Sequence, residues 1–381
     1  MNCRKIPMPW LFRKSSWIDK KIYIYKIHIM NKNHNVIGEG TYGCLHNISL
    51  RCDKDKVNND YDISKVTSKE YGEDELKKNA TMDIIDKEYR FHLGKSKKCT
   101  IKNNKINKDA IGKCLQSTKI DKENITNNVL ILMKDGGIDL EKFAIKIQDY
   151  KSTRTNVNMM KKFWIEVERL LLGIQLFQKN NFIHHDVKPQ NILFDEKNIR
   201  LNYSDFGLSN SLTQIKKESI ESRNELSQEW WSYPPEYKYV NKNVFHLYQN
   251  EIEVDDCNTI EESKHLREFL PYIVYWKEQY LDDLQYLYRD GYYDYDSLLD
   301  KCLKTFDIYS LGFTLLLISD SSRHLIDPVL FYDLTHLFYE TITPIFSKRI
   351  EIEELLEDYR ELLLMNNLIT SYKKKNINIK K

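Results

Sequence analysis

The strongest constraint on this chain is a pair of short motifs, HHDVKPQN at 184–191 and DFG at 205–207. In the first motif, Asp186 supplies a carboxylate that can accept a proton from an alcohol. Lys188, two positions later, supplies a cation that can hold a phosphate. Chance alone can produce a string such as the first motif. It is much less likely to place an Asp-Phe-Gly shortly after that string, beyond a strand-like run. The order of the two motifs therefore predicts one site built from both.

Two further side chains in these motifs are candidate metal ligands. Asn191 closes the first motif and Asp205 opens the second. Amide and carboxylate oxygens are the ligands that Mg²⁺ prefers, and Mn²⁺ accepts the same set. Together with Asp186 and Lys188 they suit phosphoryl transfer, in which a protein mainly positions the reactants and neutralises charge.

Composition limits the class of protein. The chain has 381 residues and a net charge of +2, which allows one large two-lobed unit and gives no global field for nucleic-acid binding. The longest apolar run, Leu311–Ile318, is too short to span a bilayer and predicts a buried helix. We therefore expect no transmembrane segment, no specific nucleic-acid partner and a monomer.

The cysteines predict a reducing environment. They are scattered, they form no Cys-x-x-Cys motif, and their number is odd. The first thirty residues are charged throughout and lack an apolar signal core. Both observations favour reduced thiols and a cytoplasmic location. Cys44 is interpreted as a space-filling residue, with a redox role as the alternative. The seven cysteines are Cys3, Cys44, Cys52, Cys99, Cys114, Cys257 and Cys302.

Hydrophobic periodicity predicts the main local elements. Apolar stripes favour helices over 71–94 and 156–180, and an apolar run favours a strand over 128–133. The stretch 95–127 predicts a loop with a short helix, and 306–368 predicts several helices.

Composition shifts divide the chain into segments. Residues 1–31 are basic and predict an extension outside the fold, and the basic tail occupies 371–381. Between them we expect a first lobe at 32–134 and a second lobe at 135–370. The second lobe contains an acidic, tyrosine-rich insert at 237–304, which is interpreted as a helical addition or as a docking surface.

A glycine cluster near the start of the first lobe predicts a phosphate-binding hairpin. The residues that follow it, 44–50, continue as a strand and not as the helix that a dinucleotide-binding loop would open. Glycines let backbone N–H groups approach phosphate oxygens. The candidate phosphate-binding segment is Ile37, Gly38, Glu39, Gly40, Thr41, Tyr42 and Gly43.

A lysine in the next strand-like run, Lys65, is placed to reach the same phosphates. Such a lysine needs an acidic partner. Glu88 is the favoured partner because it lies on the predicted helix 71–94, and Glu75 and Glu70 are the competitors.

From about residue 34 to 368 the chain resembles the eukaryotic-type protein kinase family. The likeness rests on the glycine segment, Lys65, HHDVKPQN, DFG, a Pro-Pro-Glu ending at Glu236, and an Asp-x-x-x-x-Gly beginning at Asp307. It implies an α+β fold with two lobes, a small β-rich N-lobe and a large helical C-lobe. The lysine two positions after Asp186 is the serine/threonine pattern of that family.

The resemblance implies a role for each motif. Asp186 and Lys188 would be catalytic, Asn191 and Asp205 would hold Mg²⁺ between the phosphates of ATP, and the substrate would be a protein hydroxyl. Side chains around the adenine and at the hinge would be Leu45, Ile63, Met133 and Leu193. Structural roles would fall to His184, Phe206, Gly207, Glu236, Asp307 and Arg349, with Arg349 paired to Glu236.

The chain also departs from the family's pattern. His185 stands where many members have an arginine that binds a phosphate on the activation loop, so we expect activity without strict activation-loop phosphorylation. Glu229 stands where a threonine often bridges Asp186 and Lys188, with Ser227 or Ser232 as possible substitutes.

Two other classes remain as alternatives. A pseudokinase scaffold would bind nucleotide and partner proteins without efficient catalysis, but Lys65, Asp186 and Asp205 are all present. A small-molecule kinase usually lacks the Pro-Pro-Glu segment. The style of the glycine segment and the long insert are similar to kinases of large nucleocytoplasmic DNA viruses, which would place the protein in host cytoplasm or the virion.

Overall fold

The structure is a computed structural model that describes residues 36–47, 50–53, 61–221, 232–248, 270–290 and 294–371. The predicted extension 1–31, the tail from 372 onward, Ser227 and Glu229 lie outside these residues. So does part of the predicted insert 237–304.

The first lobe is built on an antiparallel sheet whose strands lie in the order β1-β2-β3-β5-β4. Strands β2 and β3 are mostly buried, and Cys44 and Val66 belong to one apolar cluster with Leu130 of β5. The strand predicted at 128–133 is β5, and β4 lies in the stretch that was expected to be loop. The strands are β1 (Val36–Glu39), β2 (Gly43–His46), β3 (Ile63–Ser68), β4 (Lys97–Thr100) and β5 (Asn128–Met133).

The described part of this lobe contains two α-helices, and the first differs from its prediction. Helix α1 (Lys69–Ile85) begins directly after β3, where the Ser68 hydroxyl accepts a hydrogen bond from the Tyr71 N–H. It ends at Asp86, whose side chain accepts from the Phe91 N–H at 2.7 Å. The predicted helix 71–94 was therefore too long at its C-terminal end. Helix α2 spans Lys105–Ile111.

The second lobe is mainly helical. Its short strands are β6 (Ile138–Asp139), β7 (Phe182–Ile183), β8 (Ile192–Asp195), β9 (Arg200–Tyr203) and β10 (Asn210–Ser211). Its helices within the described residues are α3 (Leu140–Gln148), α4 (Arg154–Lys179), α5 (Leu212–Glu221), α6 (Lys242–Tyr248), α7 (Lys277–Asp290), α8 (Tyr295–Ser322), α9 (Pro328–Ile342) and α10 (Ile352–Met365). A small β-rich lobe and a large helical lobe form the expected α+β architecture.

Two long helices make the centre of the second lobe. Helix α4 begins after the Thr153 cap, and its observed bounds nearly match the expected 156–180. The predicted apolar stripe is its buried side. Helix α8 is long and apolar enough to cross a membrane, but 89% of its most apolar window is buried inside the protein. That burial is what a core helix of the lobe requires.

The cysteines differ from the sequence expectation. Cys44 is joined to Cys114, and Cys52 is joined to Cys99, as disulfides within the first lobe. Cys44 is therefore not a simple space-filling thiol. Cys302 is free and buried. Sequence separations of 70 and 47 residues explain why neither pairing was visible in local spacing.

A buried ion pair fastens the Pro-Pro-Glu segment to the C-terminal helices. Arg349 Nη1 lies 2.6 Å from Glu236 Oε1, and Nη2 lies 3.1 Å from Oε2. The same guanidinium donates to the Thr343 carbonyl and the Thr305 hydroxyl. The two contacts with Glu236 form a bidentate ion pair, in which the planar guanidinium donates to both carboxylate oxygens.

Removing one partner of this pair is expected to destabilise the protein strongly. Arg349→Ala leaves the Glu236 carboxylate buried without its cation, at a cost of about 3–5 kcal/mol. The matched control is Arg323→Ala, which removes an exposed pair with Asp320 at 3.9 Å and should cost at most about 1 kcal/mol. Urea unfolding of both variants measures the difference; similar losses would contradict the assigned role of Arg349.

Candidate functional site

The glycine segment forms a tight hairpin between β1 and β2. The Gly40 N–H donates to the Gly43 carbonyl at 2.9 Å, so the chain turns back as a strand and not into a helix. A side chain at position 43 would place its Cβ 2.8 Å from Lys65 Cε. Glycine at this position therefore leaves room for Lys65 to pass beneath the hairpin.

The hairpin also contacts its surroundings through its other members. The Tyr42 ring packs on Tyr71 at 4.4 Å, and the Thr41 carbonyl accepts from the Lys119 N–H at 3.3 Å. From the second lobe, Lys142 Nζ donates to the Ile37 carbonyl at 3.2 Å. These contacts hold the hairpin over the cleft between the lobes.

Lys65 lies at the centre of an ionic network that joins both lobes. Its Nζ is 2.8 Å from Glu75 Oε2 and 3.8 Å from Asp205 Oδ1. Burial disfavours its charge, but the nearby carboxylates of Asp205 and Glu75 outweigh that effect and raise its pKa. Lys65 is therefore charged at any physiological pH and is held by the two carboxylates.

The partner of Lys65 is Glu75, and the choice of Glu88 is corrected. Glu88 lies beyond the end of α1, has a side chain 78% exposed, and is 3.6 Å from Arg90. Within α1 the buried side is marked by Gly72, Glu75 and Met82. That helical spacing was present in the sequence and could have identified Glu75, had the helix not been extended to residue 94.

The HHDVKPQN segment orients its own carboxylate. Lys188 Nζ lies 2.9 and 2.8 Å from the two oxygens of Asp186. The Asn191 amide nitrogen donates to Asp186 Oδ2 at 2.7 Å and to its carbonyl at 2.9 Å. Burial raises the pKa of Asp186 above its usual range, although Lys188 partly opposes this. A carboxylate with a raised pKa is better suited to accept a proton.

The pKa of Asp205 is shifted in the opposite direction to that of Asp186. Lys65 lowers the pKa of Asp205, against the effect of burial. Its backbone has φ 57 and ψ 70, in the left-handed region that non-glycine residues seldom adopt. The Asp205 side chain accepts from the Gly207 N–H at 3.4 Å, and Lys78 donates to the Gly207 carbonyl. Strained backbone of this kind is found preferentially at functional sites.

Asn191 and Asp205 fit the chemistry of a hard divalent cation. The Asn191 nitrogen is engaged with Asp186, so its amide oxygen is the atom left for a metal. The Asp205 side chain is 46% exposed, and Lys65 lowers its pKa and so favours the ionised carboxylate. One carboxylate and one amide oxygen form a sparse ligand set that Mg²⁺ commonly completes with water and phosphate oxygens.

Asp307 anchors the HHDVKPQN segment to helix α8. Its two oxygens accept from the His184 and His185 N–H groups at 2.8 and 2.9 Å. Complete burial raises the pKa of Asp307 to about 7, while those two hydrogen bonds oppose the shift. The His184 ring packs on Phe206 at 4.7 Å, and its Nε2 lies 3.1 Å from the Ser204 carbonyl. His184 therefore links the two motifs by packing.

His185 is enclosed by aromatic rings. It stacks on Tyr233 at 5.7 Å, contacts Phe306 at 4.8 Å, and its Nε2 is 2.7 Å from the Tyr237 hydroxyl. Burial lowers the pKa of His185 to about 4. The imidazole is therefore neutral and cannot act as a cationic phosphate receptor. Ser232, a suggested substitute for the bridging threonine, has a buried hydroxyl that makes no hydrogen bond within the described residues.

The proposed adenine-side residues lie on the strands beside Lys65. Leu45 is opposite Lys65 in the β2–β3 register, and Ile63 is opposite Met133 in the β3–β5 register. Beyond Met133 the chain turns at Gly137, whose φ is +90 and where a Cβ would lie 2.2 Å from the Phe194 carbonyl oxygen. This close approach places Leu193 of β8 against the turn between the lobes.

Comparison with known proteins agrees with this architecture. The sequence model of the protein kinase domain matches residues 32–243, more than half of the chain, and the chain therefore belongs to the protein kinase family. Serine/threonine-protein kinase ATG1a of Arabidopsis thaliana is 45% identical over 49 residues, which are 12% of this chain and 8% of that protein. The chain thus matches only a small part of that relative's length.

The Lys65 network gives a test that separates Glu75 from Glu88. Glu75→Gln removes the charge that holds Lys65, and misplacing a positioning group by about an ångström can cost about 100-fold in rate. Glu88→Gln is the matched control because that carboxylate is exposed and remote from Lys65. Phosphotransfer to a protein substrate should fall for Glu75→Gln alone. An equal fall in both variants would contradict the pairing.

Proposed function

We propose that this chain is a serine/threonine protein kinase that transfers the γ-phosphoryl group of ATP to protein hydroxyls with the help of Mg²⁺. The observation that carries the proposal is the ionic network of Lys65, Glu75 and Asp205, whose Asp205 carboxylate is close enough to interact electrostatically with Asp186 and Lys188. A nucleotide-binding cation, a metal-binding carboxylate and a proton acceptor are the groups that phosphoryl transfer uses.

The proposed mechanism assigns one task to each group. The β1–β2 hairpin covers the phosphates, and Lys65 positions the α- and β-phosphates while Glu75 holds it. Asn191 and Asp205 would hold Mg²⁺, which neutralises phosphate charge when bound. Asp186 accepts or orients the proton of the substrate hydroxyl, and Lys188 stabilises the charge on the transferring group.

Serine/threonine specificity is supported by the position of Lys188. A lysine two positions after the proton acceptor is the serine/threonine pattern of the family, and Lys188 contacts the Asp186 carboxylate at 2.8 Å. The short match to a serine/threonine-protein kinase points in the same direction. The likeness to viral kinases and the monomeric state belong to the same proposal and rest on the sequence features given above. The cytoplasmic location rests only on the charged first thirty residues, because the two disulfides remove the argument from reduced thiols.

The scaffold alternative has less support. A pseudokinase usually lacks the strand lysine, the proton acceptor or the metal-binding aspartate. Here Lys65, Asp186 and Asp205 are present and oriented by charged partners. An active enzyme is therefore the proposal that uses all of these groups.

The decisive variant is Asp186→Asn. It removes the proton acceptor and should lower phosphotransfer by about 10²–10⁴-fold. The assay uses γ-labelled ATP with casein and a basic protein, and phosphoproteomic comparison with wild type identifies target sequences. Asp149→Asn, at an exposed position, is the control and should match wild type. No transfer by the folded wild-type protein, combined with nucleotide binding, would support the scaffold instead.

The neutral His185 predicts independence from activation-loop phosphorylation. Protein treated with a phosphatase, with loss of phosphate checked by intact mass, should keep most of its activity because no cationic receptor at position 185 needs a phosphate. The measurement is the rate of phosphotransfer before and after treatment. Complete loss that is restored by phosphorylation at a single site would refute the prediction.

A further inference from the structure

A second group of chemically reactive side chains lies in the first lobe, beside the nucleotide cleft. Cys44 and His46 are on strand β2, and Cys114 follows helix α2. All three side chains are fully buried. Their ligand atoms lie within 4.8 Å of one another. His46 Nε2 is 4.0 Å from Cys44 Sγ and 3.9 Å from Cys114 Sγ.

The histidine of this group is poorly satisfied by the protein. Among the residues that the structure describes, its Nδ1 is buried without a hydrogen-bond partner. Within the same residues, its Nε2 approaches the two sulfurs and lies 3.4 Å from the Ala110 carbonyl oxygen. Buried polar atoms are nearly always hydrogen-bonded, and one left without a partner costs about 1–3 kcal/mol. The burial of this imidazole therefore costs free energy, and its Nε2 lies beside two sulfurs. This arrangement suits the binding of a ligand.

A fourth donor is adjacent. Glu39 Oε1 lies 3.7 Å from Cys44 Sγ, and its other oxygen accepts from the Gln116 N–H at 3.3 Å. Two sulfurs, one imidazole nitrogen and one carboxylate oxygen form a donor set that suits Zn²⁺. Hard ions such as Mg²⁺ disfavour sulfur ligands, so this site would not compete for the ion at Asn191 and Asp205.

We propose that, when the Cys44–Cys114 disulfide is reduced, Cys44, Cys114 and His46 bind Zn²⁺, with Glu39 as the fourth ligand. The disulfide and the metal are then alternative states of one site. Zn–S bonds of about 2.3 Å and Zn–N bonds of about 2.0–2.1 Å in a tetrahedron require the two sulfurs to separate from their bonded distance. One site therefore cannot hold both states together.

The conversion between the states balances in two steps. A water-soluble phosphine reduces the disulfide: phosphorus takes an oxygen atom from water and becomes the phosphine oxide, and the two protons of that water complete two thiols. Zn²⁺ then displaces the two thiol protons to the buffer, and two zinc–thiolate bonds form.

The location of the site connects it to the nucleotide-binding hairpin. Glu39 ends β1 and Cys44 lies in β2, on either side of the glycine turn. The segment that carries Cys114 also donates from the Ser117 hydroxyl to the Gly43 carbonyl at 3.0 Å. A metal held by Glu39, Cys44 and Cys114 would tie both strands of the hairpin to this segment.

The other cysteine pair of the lobe provides a matched control. Cys52 and Cys99 are also joined as a disulfide, but they belong to no cluster of potential metal ligands found among the described residues. Replacing both removes two thiols from the same lobe without touching the proposed site.

The experiment measures metal binding and does not depend on phosphotransfer. The full chain is reduced with tris(2-carboxyethyl)phosphine, titrated with Zn²⁺, desalted and analysed for zinc by mass spectrometry. Co²⁺ is used in parallel as a spectroscopic probe. We expect one Zn²⁺ per reduced chain, none in the oxidised chain, and a thiolate-to-cobalt charge-transfer band with the visible bands of tetrahedral coordination.

Variants assign the ligands. The double variant Cys44→Ser/Cys114→Ser and the variant His46→Gln should lose stoichiometric zinc, whereas Cys52→Ser/Cys99→Ser should keep it. Circular dichroism checks that each variant folds, and Glu39→Gln, at a partly exposed position, should weaken binding while leaving the fold intact. Reduced wild-type protein that takes up no stoichiometric zinc would overturn the proposal. So would loss of zinc in the Cys52/Cys99 variant.

Discussion

The buried carboxylate of Asp307 is the contact on which the arrangement of the site depends. It holds two successive backbone N–H groups, of His184 and His185, and so sets the position of the loop that carries Asp186 and Asn191. Asp307 lies in the middle of α8, a helix that is mostly buried in the core of the second lobe. The loop is therefore attached directly to that core. Burying such a charge is costly, and the two hydrogen bonds offset part of that cost.

In the site that Asp307 anchors, the pKa values of two aspartates are shifted in opposite directions by their environments. Burial raises the pKa of Asp186, and the nearby Lys65 lowers the pKa of Asp205. These opposite shifts suit the different roles proposed for the two carboxylates at one pH: Asp186 as the proton acceptor and Asp205 as an ionised metal ligand. Lys65 accounts for the shift of Asp205 because it bridges from β3 in the first lobe to Asp205 in the second.

Local sequence was enough for much of the fold and for most of the site. The strand at 128–133, the helix α4 and the glycine hairpin followed from periodicity and from the residues after the glycines. The helix end at Ile85 did not, because Asp86 ends α1 through a hydrogen bond to a backbone group five residues ahead. Because the predicted helix was too long, it included Glu88 as a candidate partner of Lys65 beside Glu75, and the favoured choice was wrong.

The sequence by itself determined which chemical groups are present, in which order and on which local elements: a hairpin of glycines, a strand lysine, and the two motifs with Asp186 and Asp205. Only the tertiary structure decided which distant groups meet. The pairing of Lys65 with Glu75, the aromatic enclosure of His185 and the cluster of Cys44, His46 and Cys114 all join separate elements. Such contacts depend on how strands and helices pack in space, and local periodicity carries no information about that packing.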